Sequence, residues 1–227
     1  MNTILEIEIK SKAEGLEKAK KILDLDEDKI EYEIDKGFWG GIFSKKPSIL
    51  KVKNKENIPD LSKIRGTLYT LFDKLGIGIE IESVKETSEN YIISIKSKYK
   101  SFIIGKKGKN IDSFQFLLNL LLSNTLKKDK RVLIDIDGYR EKRKTILQKI
   151  ARNLANKVAI SGKSLLMEPL NPYERRIVHL ELEKDKRVTT ESEGNGLYKR
   201  IRIIKITSEK EKKTFEDNFE EGDIEEV

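Results

Sequence analysis

Apolar and polar residues alternate with period two over 3–11 (TILEIEIKS), the pattern of a strand with one buried face. Over 11–25 the period lengthens, and Leu16, Ala19, Ile22 and Leu23 fall at helical spacing. Strand character returns over 29–35 (KIEYEID) and 49–52, separated by KGFWGGIFSKKP, which is glycine-rich and holds three aromatic residues. The first 54 residues therefore predict a small β-α-β-β unit.

The polar stretch KNKENIPD (53–60) carries a proline and predicts a boundary. Asp60 is placed to cap a helix with Leu61, Ile64, Leu68, Leu71, Phe72 and Leu75, and Gly76 is its stop. Strands are predicted over 77–84, 91–96 and 132–136. Between the last two lies SFIIGKKGKNIDSFQFLLNLLLSN (101–124), two helical segments around Gly-Lys-Lys-Gly. Ile103 and Ile104 before the loop, and Ile111, Phe114, Leu117, Leu118 and Leu121 after it, are expected to anchor both helices on a sheet. The predicted order is α-β-β-α-α-β.

Gly138 opens a third unit. Residues 139–160 predict a long helix with Ile146, Leu147, Ile150, Leu154 and Val158 on one face and Arg140, Arg143, Lys144, Lys149 and Arg152 around the rest. A short strand over 164–167 follows. Asn171, Pro172 and Glu174 then spell a helix start: cap, first position and capping-box acid. Strands over 187–191 and 198–206 close the unit. The expected fold class is α+β, three small units in series. The boundaries are 1–54, a linker at 55–59, 60–137, 138–206 and a tail at 207–227.

Composition removes several function classes. There is no cysteine and one histidine, which excludes thiol chemistry, disulfides and paired-histidine metal sites. No apolar run reaches the length of a membrane span; the longest, 114–122, is broken by Gln115 and Asn119. The acidic start, MNTILEIEIK, does not resemble a secretion signal, so a cytoplasmic location is expected. Residues 1–76 carry 15 basic and 14 acidic side chains, residues 77–206 carry 28 and 16, and residues 207–227 carry 3 and 9. A basic surplus from residue 77 onward suits a polyanion partner, or else reflects solvated lysine-rich helix faces. The stretch 214–227 has seven acidic residues and no basic one, a composition expected to stay unfolded.

Two G-x-x-G pairs occur. Gly37–Gly40 encloses Phe and Trp between strands and reads as a turn. Gly105–Gly108 encloses two lysines at the start of a helix. There the glycines allow close backbone approach, the amides face outward, and Lys106, Lys107 and Lys109 add charge. Arg175 and His179 stand at i and i+4 on one helix face, with Arg176 beside them. Ser161–Ser164 (SGKS) imitates the end of a nucleotide-binding loop. The full pattern requires glycine where Lys157 stands, and a strand where a helix is predicted. Enzymatic function, a metal and a cofactor are not expected.

The order α-β-β-α-α-β around IIGKKGKNID resembles the KH domain in its type II topology, whose loop clamps nucleic acid through its backbone. LLMEPLNPYERRIVH followed by VTTESEGNGLYKRIRI resembles the R-x-x-x-H ("R-three-H") domain, a single-stranded nucleic-acid binder; its two named residues fall on Arg175 and His179. KGFWGGIFSKKP resembles the N-terminal domain of the Jag family of SpoIIIJ-associated proteins, also called KhpB or EloR. The likeness covers nearly all of residues 1–206. The linker here is short, whereas some members carry a much longer one. The resemblance implies an RNA-binding protein, with single-stranded DNA left as the open alternative. It implies contacts through Ile104, Gly105, Lys106, Lys107, Gly108, Lys109, Arg175, Arg176 and His179. It also implies post-transcriptional regulation linked to cell elongation and division, and a small KhpA-like partner with a single KH domain. Contact with membrane-insertion or cell-wall machinery is implied for the N-terminal domain. The alternative is an interaction adaptor whose nucleic-acid modules dock proteins.

Overall fold

The computed structural model describes residues 3–35, 47–55, 57–126 and 130–206. The turn expected at Gly37–Gly40 and the acidic tail lie outside the described residues. The chain forms two compact units, the first ending at Tyr139 and the second beginning at Arg140.

The first unit opens with β1 (Thr3–Ile9), α1 (Lys12–Leu23), β2 (Tyr32–Asp35) and β3 (Ser48–Lys53), the β-α-β-β order that periodicity predicts. Ser11 caps α1 by accepting from the Glu14 amide (3.3 Å). The antiparallel sheet has the order β1-β3-β2. Leu5, Ile7, Leu50 and Val52 pack with Leu16, Ala19 and Leu23 of α1. Lysines and acids alternate across β2 and β3: Lys51 pairs with Asp35 (3.2 Å), Lys53 with Glu33 (2.5 Å), and Lys55 with Glu31.

Helix α2 (Asp60–Lys74) serves two cores at once. Ile64, Leu68 and Phe72 enter the second core. At Gly66 the helix approaches β1 so closely that a Cβ would lie 2.5 Å from the Ile4 carbonyl oxygen. Thr70 Oγ1 accepts from the Glu6 amide (3.0 Å), and Lys74 pairs with Glu6 (2.6 Å). This double docking holds the first sheet and the second in one compact unit. Asp60 is the first helical residue rather than the cap, which is Pro59. Its carboxylate turns inward, accepting from the Tyr91 hydroxyl (3.2 Å) and from buried Lys63 (3.5 Å). Burial and the Asp60 carboxylate push the Tyr91 hydroxyl up to about 12, so it remains a proton donor to Asp60.

The second sheet has the order β4-β5-β6, with β4 (Glu80–Glu86) antiparallel to β5 (Asn90–Lys96) and β6 (Arg131–Ile136) parallel to it. Parallel neighbours need a crossover. Here it is α3 (Lys100–Ile104), the GKKG loop and α4 (Lys109–Leu122). Ile103, Ile111, Leu118 and Leu122 pack with Tyr91, Ile93, Ile95, Val132, Ile134 and Ile136. Leu117, expected as an anchor, is 42% exposed, because the buried stripe 111–118–122 leaves position 117 about 100° away around the helix. Gln115 and Asn119, which interrupt the apolar run, close the outer edge of β6. Asn119 exchanges hydrogen bonds with the Val132 amide and carbonyl (both 2.8 Å), and Gln115 Oε1 accepts from the Ile134 amide (3.3 Å).

In the second unit, α5 (Tyr139–Ser161, its first residue still part of the first unit) precedes β7 (Leu165–Leu166), α6 (Pro172–Leu182), β8 (Val188–Glu193) and β9 (Arg200–Lys205). The antiparallel sheet has the order β7-β9-β8. The buried face of α5 is Leu147, Ala151, Ala155 and Val158. Ile146 and Ile150 are exposed, a rotation from the expected face. Two alanines let the helix sit close to a core of Val178, Leu182, Ile201 and Ile203, and small residues carry little sequence signal for burial. Arg143 also points inward, donating to Glu174 (2.7 Å) and Glu168 (3.3 Å). Among the described residues, no helix is long and apolar enough to cross a membrane.

Candidate nucleic-acid interface

The loop in the first unit is built by three positive-φ backbone positions within four residues, Lys107 and Gly108 left-handed and Gly105 extended. Gly105 has φ +67°, Lys107 φ +59° and Gly108 φ +83°. Left-handed backbone is open to glycine at no steric cost, whereas at Lys107 it costs on the order of 1 kcal/mol. Space is as restrictive as angle. A Cβ on Gly105 would overlap the side-chain amide of Asn110, and one on Gly108 would lie 2.8 Å from the Tyr139 hydroxyl oxygen. Asn110 holds its place by donating to the Phe102 carbonyl (2.8 Å), which ties the start of α4 back to α3.

This frame presents Lys106, Lys107 and Lys109 to solvent while Gly108 is buried and Ile104 half-buried. Gly108 occupies the cap position of α4 and has no side chain to offer the first-turn amides. A helix start with lysines around it attracts phosphate through both dipole and charge.

The second unit carries its own cluster. The Asn171 side chain accepts from the Glu174 amide (2.8 Å), and Glu174 Oε2 accepts from the Asn171 amide (3.4 Å), a complete capping box. That start sets the phase of α6, so Arg175 and His179 face the β8–β9 hairpin. Arg175 Nη1 donates to the carbonyls of Leu170 (3.2 Å) and Leu197 (3.1 Å), fixing the guanidinium against the hairpin end. His179 Nδ1 lies 2.6 Å from Thr190 Oγ1, and Nε2 lies 3.2 Å from Ser192 Oγ. Burial, and secondarily the Arg175 charge, lower the His179 pKa, so the ring is neutral at neutral pH. A neutral imidazole flanked by hydroxyls donates and accepts hydrogen bonds, and Arg175 supplies the charge. Arg176 is exposed beside them.

Periodicity and motif spacing locate both clusters but not their supports. Tyr139, Thr190, Ser192 and the Leu197 carbonyl act from a distance in sequence, whereas Asn110 lies inside the motif, five residues after Gly105. Only the polar interruption of an apolar helix, as at Gln115 and Asn119, is visible beforehand as something needing a structural reason.

The family model of the R-three-H domain matches residues 145–205, a span that includes Arg175 and His179. An RNA-binding protein KhpB from Clostridium symbiosum is 37% identical over 204 residues, 88% of this chain and 90% of that protein. An RNA-binding protein KhpB from Bacillus subtilis is 31% identical over 189 residues, 81% of this chain and 89% of that protein. One from Lactiplantibacillus plantarum is 24% identical over 155 residues, 68% of this chain but 48% of that protein.

Proposed function

The chain belongs to the KhpB family, and on that premise we propose that it is a non-enzymatic, cytoplasmic RNA-binding protein acting on single strands. The observation that carries this reading is the GKKG loop, whose backbone is held by two glycines of positive φ while its lysines face solvent. Residues 60–137 act as a KH module with Ile104, Gly105, Lys106, Lys107, Gly108 and Lys109 at the phosphate backbone. Residues 138–206 add Arg175, Arg176 and His179 as a second set of donors. Residues 1–54 serve protein contacts with membrane-insertion or cell-wall machinery. The cellular role is post-transcriptional regulation connected to cell elongation and division.

Phosphate contacts give affinity without reading bases. Arg175→Ala and His179→Ala are therefore expected to weaken binding to short single-stranded RNA several-fold and equally across sequences. Filter binding or fluorescence anisotropy on a panel of oligonucleotides, with single-stranded DNA included, checks this. A change in the preferred sequence would contradict the assignment.

A small partner with a single KH domain fits the outer face of α4. Phe116, Leu117 and Leu120 are 68%, 42% and 59% exposed, and residues 113–126 contain no charged side chain in a chain that is 37% charged. An uncharged apolar stripe of helix suits a like helix of a second KH domain. Leu120→Asp is expected to reduce that association at least tenfold in light-scattering or pull-down measurements, leaving RNA binding by the isolated chain intact. Loss of self-association instead would make the occupant a second copy of this chain, and no change in either would remove the surface from consideration.

A further inference from the structure

We propose that Tyr139 is a positioning residue for the GKKG loop, resting on the reading of that loop as the RNA contact. Its ring edge lies against Gly108: the position of a Cβ there is 2.8 Å from the Tyr139 hydroxyl oxygen, 3.1 Å from Cε1 and 3.3 Å from Cζ. Gly108 is buried, and Tyr139 is half-buried against the core that includes Ile103 and Ile111. The tyrosine thus fills the volume that the missing side chain of Gly108 leaves, and it fixes how far the loop can sink toward the sheet.

Two neighbours of Tyr139 strengthen the arrangement. Asp137 (φ +52°) and Gly138 (φ +67°) are consecutive left-handed residues that turn the chain from β6 into α5. Asp137 pairs with Lys100 (3.0 Å), the first residue of α3. Segment 137–139 therefore meets the helix before the loop through an ion pair and the loop's second glycine through an aromatic ring. Asn110 does the equivalent at Gly105, from within α4. Each glycine has one side chain behind it, and the lysines between them are left on the outer side.

Interfaces of this kind are sensitive to small displacements: a backbone clamp for phosphates works only where its amides and charges are held in place. Removing the ring lets the loop relax inward without touching any group that meets RNA. Tyr139→Ala is expected to weaken binding of a short single-stranded RNA about tenfold at a temperature where circular dichroism shows the full chain folded. Tyr139→Phe, which keeps the ring, is expected to stay within about twofold. A stability-only role would lower the melting temperature of Tyr139→Ala while leaving that affinity unchanged. Tyr139→Leu keeps apolar volume without the flat edge and gives the same reading if the alanine variant does not fold. The lysine double variant Lys106→Asp/Lys107→Asp is measured alongside. Weak binding by the lysine variant with normal binding by Tyr139→Ala or Tyr139→Leu overturns the inference alone. Normal binding by the lysine variant overturns the loop reading and the inference with it.

Discussion

Lys106→Asp/Lys107→Asp is expected to bind short single-stranded RNA about 100-fold more weakly than the unaltered chain. Each phosphate contact on a single strand contributes about −0.7 to the slope of log affinity against log salt. Losing two contacts should flatten that slope by about 1.4, and the reversed charges add repulsion. Both lysines are solvent-facing, so the substitutions leave the core untouched. Lys107 has left-handed backbone, a conformation that Asp tolerates better than most residues, so the loop shape is expected to survive. Anisotropy titrations at several salt concentrations provide the measurement. An unchanged affinity and slope would mean that the loop does not touch the strand.

The largest stability effect is expected at Glu174→Ala. The Glu174 side chain is 8% exposed and its partner Arg143 is 12% exposed, with Nε to Oε1 at 2.7 Å. Breaking a buried pair costs up to about 3–5 kcal/mol, the loss here being reduced by the Glu168 carboxylate that Arg143 also reaches at 3.3 Å. The same substitution removes the return half of the capping box, the bond from the Asn171 amide to Glu174 (3.4 Å), while the Asn171 cap itself stays. The second unit should therefore lose most of its stability, while the first unit's sheets are not involved. Chemical denaturation of the full chain should show the transition of residues 140–206 moving to much lower denaturant and the other transition holding. A small shift in both would place the pair's contribution near that of a surface ion pair.

Glu174 illustrates how far the sequence is legible. Its capping role is local, three residues after Asn171, and is readable from the spacing alone. Its pairing with Arg143 spans 31 residues, and no periodicity reports it. Arg143 reads in sequence as one of several basic residues on a solvated face, because charge patterns say nothing about which residue has a buried partner. Strands β1, β5 and β6 are legible because one face of each is buried and the other is not. The burial of α5 is only half legible: Ala151 and Ala155 allow the close approach, but bulky Ile146 and Ile150 dominate the pattern. At the candidate site the glycines and lysines announce themselves. The reason that only glycine fits is supplied by Asn110 and Tyr139, which meet the loop through the fold.

The amide side chains of Gln115 and Asn119 have a consequence for solubility. An edge strand of a small sheet is a template on which another chain can add a strand, and many proteins block such templates with lysine or proline. On β6 the blocking groups come from α4: Asn119 occupies both outward backbone groups of Val132, and Gln115 the amide of Ile134. The edge is thereby shielded against strand addition without placing a charge beside the apolar stripe of α4.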